Sequence, residues 1–411
     1  MNKTSQIISK CQISKKKDLK TILSLGYLPP VNKLIGINTF QTESPFYPTE
    51  MVYSPSSKLV QLNIIVDKKI LFPKEYPYTS STTKVLRDNF RELFKECKKI
   101  IKFSSNDLII DIGSNDGNLL NNFKNHCKVL GVTPENIGKI AIKKGIKTLI
   151  KYFDKTTSKI ILKKYKRAKI ITATNVFAHI ENVNELMKNL LRVLKDDGVF
   201  ISESHYLVSL IKTNQYDTIY HEHLRYYSLR SLQFLFKKYG MEIIYAKKIN
   251  THGGSIRVYA AKKNKFKINK NVTKILNYER KFINWKMFNE FKKNVVNSKL
   301  NLYSLLKKLK EKNKKIYGIS APSRASTLVN YVGLDENIID CVLEIDGSYK
   351  IGHYMPGTKI PIFSEKKLYK DKPDFVILFS WHISKELIKN LKKRGFKGKF
   401  IIPLPKPKIV S

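Results

Sequence analysis

The sequence predicts an α/β fold with a parallel sheet at its centre, on three observations. Short apolar runs at 108–111, 128–132, 148–151, 169–173 and 198–203 are spaced as strands, with a helix at Val183 to Leu194 among them. Alternation of this kind argues a parallel sheet covered on both faces. The first run, Leu108 to Asp111, passes into Gly113-Ser114-Asn115-Asp116-Gly117 and then Leu119-Leu120. That is a buried strand, a tight glycine turn and a helix start. Twenty residues after Gly113, the second run ends at Thr133-Pro134-Glu135, where a nucleotide-binding βαβ unit turns towards the ribose. Gly113 and Gly117 permit backbone angles and a close ligand approach that a Cβ would forbid. The turn with Asp111 before it, and Thr133 beyond, are therefore candidate cofactor-binding residues.

A chain of 411 residues is too long for one ordinary core, so two or three domains are expected. No apolar run approaches the roughly 18 residues of a membrane helix, and the first 17 residues lack the apolar core of a signal peptide. Cys11, Cys97, Cys127 and Cys341 form no C-x-x-C pair. They read as free thiols in a reducing cytoplasm. The formal charge of +44 invites a nucleic-acid reading. The basic residues are mostly lysine spread over every segment, and no zinc-finger or RRM pattern accompanies them, so no nucleic-acid or membrane partner is expected. The positive field would still attract an anionic ligand.

Taken in order, residues 1–83 are proline- and turn-rich, with short strands such as Leu59 to Val66, and form a small irregular β module. Thr83 to Lys102 has helical apolar spacing and leads into a core unit at 84–265. Met241 to Ala246 and Ser255 to Ala261 add two strands around His252-Gly253-Gly254. A lysine-rich helical stretch, about 270–313, precedes a second, smaller Rossmann-like unit within 266–411. Its strands are Lys315 to Ile319, Ile338 to Ile345, Phe375 to Phe379 and Phe400 to Ile402, with a helix at Arg324 to Tyr331.

Tyr220-His221-Glu222-His223 is the densest cluster of ionisable groups and follows the fifth strand, at the edge where open α/β sheets place ligands. Histidine titrates near neutrality, a neighbouring carboxylate can fix its tautomer, and a tyrosine can donate to a developing oxyanion. The same string could hold a metal, but neither H-x-x-x-H spacing nor a nearby cysteine accompanies it. His179, in Asn175-Val176-Phe177-Ala178-His179-Ile180, follows the fourth strand and faces the same cleft. Tyr76-Pro77-Tyr78-Thr79-Ser80-Ser81 is suited to holding a sugar, or equally to an exposed turn.

These strings resemble the S-adenosylmethionine (SAM)-dependent sugar C-methyltransferases. So do Leu25-Gly26 with Pro29 and Asn32, Leu59 to Leu62, Tyr317-Gly318 with Ala321, and His252-Gly253-Gly254-Ser255-Ile256-Arg257. The resemblance covers essentially the whole chain. It implies a zinc-binding N-terminal module, a class I methyltransferase Rossmann-like core and a C-terminal Rossmann-like substrate domain. It also implies methyl transfer to a carbon beside the ketone of a nucleotide-linked keto-deoxysugar, through a base-formed enolate. By motif position, His223 is the base and Glu222 orients it or the substrate. Tyr220 and Tyr78, or Tyr76, stabilise the enolate oxygen, and His179 assists proton traffic. The Asp111–Gly117 turn, Thr133, Asn175 and Ala178 would hold SAM. Tyr76, Ser80, Ser81, His221, His252, Gly254, Arg257 and Arg324 would meet the nucleotide sugar.

Three departures qualify the resemblance. The family's two C-x-x-C pairs read Cys11-Gln12-Ile13-Ser14 and Ser54-Pro55-Ser56-Ser57 here. One thiolate cannot hold a tetrahedral structural zinc, so no metal is expected. Thr133 stands where an acid often meets the ribose, and Glu135 could substitute. Arg324 replaces a lysine and could pair bidentately with phosphate. Rival readings are an O- or N-methyltransferase of another small molecule, an inactive nucleotide-sugar-binding homologue, and an RNA methyltransferase.

Overall fold

The computed structural model describes residues 4–39, 44–72 and 84–411. Tyr76, Tyr78, Ser80 and Ser81 lie outside the described residues. Three N-terminal strands, β1 (Lys20–Leu28), β2 (Tyr47–Ser54) and β3 (Leu59–Leu62), pair antiparallel. A fourth strand, Arg225–Tyr226, arrives from the middle of the chain and pairs with β3. The expected strand Leu59 to Val66 is broken at Asn63. The Asn63 side chain turns to Glu50, and Ile64–Val66 leaves to pair with Ser5–Ile7.

The central sheet holds seven strands: β4 (Leu108–Ile112), β5 (Lys128–Val132), β6 (Thr148–Leu149), β7 (Ala168–Thr174), β8 (Leu194–His205), β9 (Met241–Ile249) and β10 (Ser255–Lys262). Their order is β6-β5-β4-β7-β8-β10-β9, with β10 antiparallel to both neighbours. This is the class I methyltransferase sheet. Every residue of β4 and β7 is buried, as a parallel sheet clad on both faces requires. Helix α1 (Lys84–Ile100) packs through Phe90, Leu93 and Cys97 into the cluster that includes Ile109, Ile170 and Tyr259. Helix α2 (Val183–Val193) is capped by Asn182, whose side chain accepts from the Glu185 N–H.

The lysine-rich stretch is two helices, α3 (Lys270–Phe282) and α4 (Trp285–Lys310). The break falls at Asn284, which caps α4 by accepting from the Met287 N–H. Beyond it, six strands run β13-β12-β11-β14-β15-β16: β11 (Ile316–Ile319), β12 (Cys341–Glu344), β13 (Ile362–Ser364), β14 (Phe375–Leu378), β15 (Lys399–Ile402) and β16 (Lys408–Val410). All but β16 are parallel, a second Rossmann-like sheet. Helix α5 (Ser323–Val332) follows β11. Among the described residues no helix is long and apolar enough to cross a membrane.

Arg257 corrects one expectation. It lies mid-β10, fully buried, with its guanidinium on Glu203 of β8 and on Glu96 and Asn89 of α1. The strand turns it towards α1, and its charge is neutralised inside the protein. Arg257→Met would leave Glu203 buried with its countercharge gone. Urea unfolding should show a loss of about 3–5 kcal/mol, partly recovered when Glu203→Gln is added.

Candidate active site

The β4 turn has the geometry its glycines require. Gly113 and Gly117 have φ of 74° and 77°, and Asn115 is also left-handed at 51°. Neighbouring side chains also press on both glycines. A Cβ on Gly113 would collide with Val176 Cγ2, and one on Gly117 would stand 2.6 Å from Ile146 Cδ1. The glycines admit neighbouring protein side chains, so Gly113→Val would displace the loop that carries Asn175 and Ala178. Asp111 is buried and accepts from Thr172 Oγ1 (2.6 Å). Burial, helped by Glu203, pushes its carboxyl up to about 7 against that hydrogen bond. Asp116 is paired with Lys144 (3.0 Å), and Thr133 donates to Glu135. Ser114 Oγ is buried without a hydrogen-bond partner among the described residues. An open turn, a left-handed Asn175 at φ 56° and an unsatisfied hydroxyl at the carboxyl edge of β4 and β7 suit a polar cofactor.

Beside this edge, histidines converge from distant parts of the chain. His223 lies between Tyr220 (ring centroids 4.1 Å), His179 (4.9 Å) and His205 (6.4 Å). Its Nδ1 is 2.7 Å from the Thr218 carbonyl. A carbonyl only accepts, so Nδ1 carries the proton and Nε2 keeps its lone pair. The tautomer is thus set by Thr218. Of the two roles expected for Glu222, orienting the ring or the substrate, the first falls to Thr218, and the Glu222 carboxylate accepts from Asn32 Nδ2 (2.7 Å). Burial, tempered by Asn32 and Lys350, pushes Glu222 up to about 7.

Other expected ligand contacts are re-placed. His221 Nε2 faces Thr49 Oγ1 (3.0 Å) and the Pro48 carbonyl, so it fastens the loop to β2. The His252 carbonyl meets His205 Nε2 (3.1 Å). A Cβ on Gly254 would collide with Ser209, again a protein contact. Arg324 grips Asp217 through Nε (2.7 Å) and a terminal nitrogen (2.8 Å) and lies over Trp381. Its charge is neutralised inside the protein, contrary to the expected phosphate pairing.

The sequence pattern did not mark His205, Gln215, Lys350, His382 or Arg225. Buried Arg225 donates to Tyr227 Oη (3.0 Å), to Gln12, and to the carbonyls of Phe177 (3.4 Å) and Ile180. It has no carboxylate partner among the described salt bridges. It ties the loop of His179 to the N-terminal module, and its charge joins burial in lowering His179 to about 4. An arginine next to an ionisable string reads locally as a solvated face, so only the fold reveals this.

The histidines give the fold a pH dependence. Burial lowers His179 and His221 to about 4 and His205 and His382 to about 3, and lowers His223 well below 6.5. Below pH 6.5 the unfolded chain takes up protons that the folded one refuses, so stability falls as pH drops towards 4. Asp111 and Glu222, raised to about 7, act oppositely and favour the fold as pH falls, as do Glu203 and Glu279, which burial also raises. With His252, lowered to about 4, the histidines are six against four. The urea midpoint should therefore be lower at pH 5 than at pH 7.5; an equal or higher midpoint at pH 5 would contradict this burial.

Residues 11–72 match a family described as a proposed zinc-binding domain, 82–246 a methyltransferase domain, and 250–405 a C-methyltransferase C-terminal domain. C-methyltransferase NovU of Streptomyces niveus is 29% identical over 98% of this chain and 97% of its own length. Two solved structures resemble part of the chain. YcgJ of Bacillus subtilis has 15% identity and a TM-score of 0.33, over 43% of this chain and 98% of its own. A SAM-dependent methyltransferase of Clostridium acetobutylicum has 14% identity and a TM-score of 0.33, over 44% and 93%. The fold rests on the strand order itself, and the three family matches in sequence, with a relative aligned almost end to end, make the chain a SAM-dependent methyltransferase and a homologue of the C-methyltransferases.

Proposed function

We propose that the chain methylates carbon beside the ketone of a nucleotide-linked keto-deoxysugar, with His223 as the base. The observation that carries this reading is the state of His223: Nδ1 is committed to the Thr218 carbonyl and Nε2 holds an unshared pair. Burial and the neighbouring His179 hold the ring neutral. Oxygen methylation breaks an O–H bond and no carbon–hydrogen bond, so hydrogen exchange beside the ketone separates the two reactions. SAM supplies the methyl group as an electrophile, and the Asp111–Gly117 turn, Thr133 with Glu135, Asn175 and Ala178 would hold it.

Glu222, with a carboxyl near 7, exists partly protonated at neutral pH and can donate to the ketone oxygen. Tyr220 and a tyrosine of the 76–78 segment would share that task. His179, neutral and against His223, would pass on the proton. The division of labour we propose is an N-terminal module over 1–83, a methyltransferase domain over 84–265 and a substrate domain over 266–411. The excess of lysine favours approach of the anionic diphosphate.

In deuterated water the wild type should wash deuterium into the position beside the ketone. His223→Asn keeps the ring's approximate shape without its basicity. It should lose both exchange and methylation by on the order of 10²–10⁴-fold. The wild-type rate should fall as pH rises from 6 to 8, because the base is unprotonated throughout while Glu222 loses its donor proton near 7. Undiminished exchange in His223→Asn would remove His223 from the role.

A further inference from the structure

The segment matching a zinc-binding family does not have the chemistry of a zinc site, although it keeps the shape of one. Two turns of the N-terminal module are built alike. In Cys11–Lys15 the Lys15 N–H donates to the Cys11 carbonyl (2.9 Å), and in Ser54–Lys58 the Lys58 N–H donates to the Ser54 carbonyl (2.9 Å). Lys15 and Lys58 are both left-handed, at φ 66° and 59°. The turns face each other across one point. Cys11 Sγ is 3.1 Å from Ser57 Oγ and accepts from the Ser14 N–H (3.4 Å), and Ser56 Oγ donates to Ser14 Oγ (3.3 Å). Burial raises the Cys11 thiol, but hydrogen bonds with the Ser14, Ser57 and Ser54 hydroxyls bring it below its ordinary value. Cys11, Ser14, Ser54 and Ser57 thus gather as four ligands of a tetrahedral metal would.

Their donor set is one thiol and three neutral hydroxyls, whereas zinc takes thiolate, imidazole or carboxylate. Among the described residues no three His, Cys, Asp or Glu converge. Lys10, Lys15, Lys16, Lys17 and Lys58 flank the turns, and their charge opposes a cation. An anion is supplied instead: Asp18 accepts from Ser54 Oγ (2.8 Å) and from the Ser56 N–H (2.8 Å).

We propose that this knot is a metal-free crosslink, in which a serine-ringed Cys11 and the Asp18 carboxylate do the fastening that a metal does in a zinc knuckle. It joins Cys11 to Ser57, 46 residues apart. The first turn also carries Gln12, which receives Arg225. The inference does not depend on the substrate or the base.

Elemental analysis of the dialysed wild type should show far less than one zinc per chain, and its melting temperature should not move with a strong chelator. Ser14→Cys, Ser54→Cys and Ser57→Cys together should create a site that takes up about one Co²⁺ with thiolate charge-transfer absorption; the wild type should give none. Near-stoichiometric zinc in the wild type, or a melt lowered by chelator, would overturn the proposal whether or not the triple variant folds. So would a folded triple variant that binds no Co²⁺, since the four positions would then not converge.

Discussion

A buried ion pair joins the C-terminal unit to the segment that shapes the cleft. Arg324, in the first turn of α5, holds both oxygens of Asp217, and the Trp381 indole N–H donates to the same carboxylate (2.7 Å). Asp217 and Arg324 are 1% and 7% exposed. Taking two charges out of water is unfavourable, and only close geometry with further hydrogen bonds offsets it. The indole and the bidentate contact supply both. The next residue is Thr218, whose carbonyl fixes His223. Two residues earlier, Gln215 reaches His205 (3.1 Å) and the Gly253 carbonyl (2.7 Å). Gly253, at φ 84°, must lack a Cβ, which would stand 2.6 Å from Gln215. One ion pair therefore fixes, through adjacent backbone, the histidine and the loop behind it.

The residues after Asp217 then divide among three parts of the protein. His221 fastens to β2, Glu222 meets Asn32, and His223 faces the core edge. Asn32 also accepts from Ser323 Oγ (2.9 Å), so one N-terminal amide bridges the loop and the start of α5. Consecutive side chains in an irregular loop point in different directions. Residues adjacent in sequence therefore serve different neighbours, which is why Glu222 does not orient His223.

The central sheet was legible because its strands are short, apolar and buried on both faces, so they stand out as runs between helices. The break at Asn284 was harder, because a single capping asparagine interrupts an otherwise continuous lysine-rich helical pattern. The His223 loop and His179 were legible as motifs. His205, His382, Lys350 and Arg225 were not, because their burial and proximity follow from how distant segments fold together. Arg257 and Arg324 misled for the same reason. A basic residue near a glycine loop reads as an anion contact until the buried carboxylate beside it is seen.

The central claim is that this cleft directs SAM's methyl group to carbon. The most direct measurement is carbon-13 NMR of the product made by the wild-type protein from SAM labelled in its methyl group and a nucleotide-linked keto-deoxysugar. The expected result is a labelled methyl on the carbon beside the ketone, coupled to that carbon. A labelled methyl on oxygen or nitrogen, or no transfer to any keto-sugar nucleotide while SAM is bound, would contradict it.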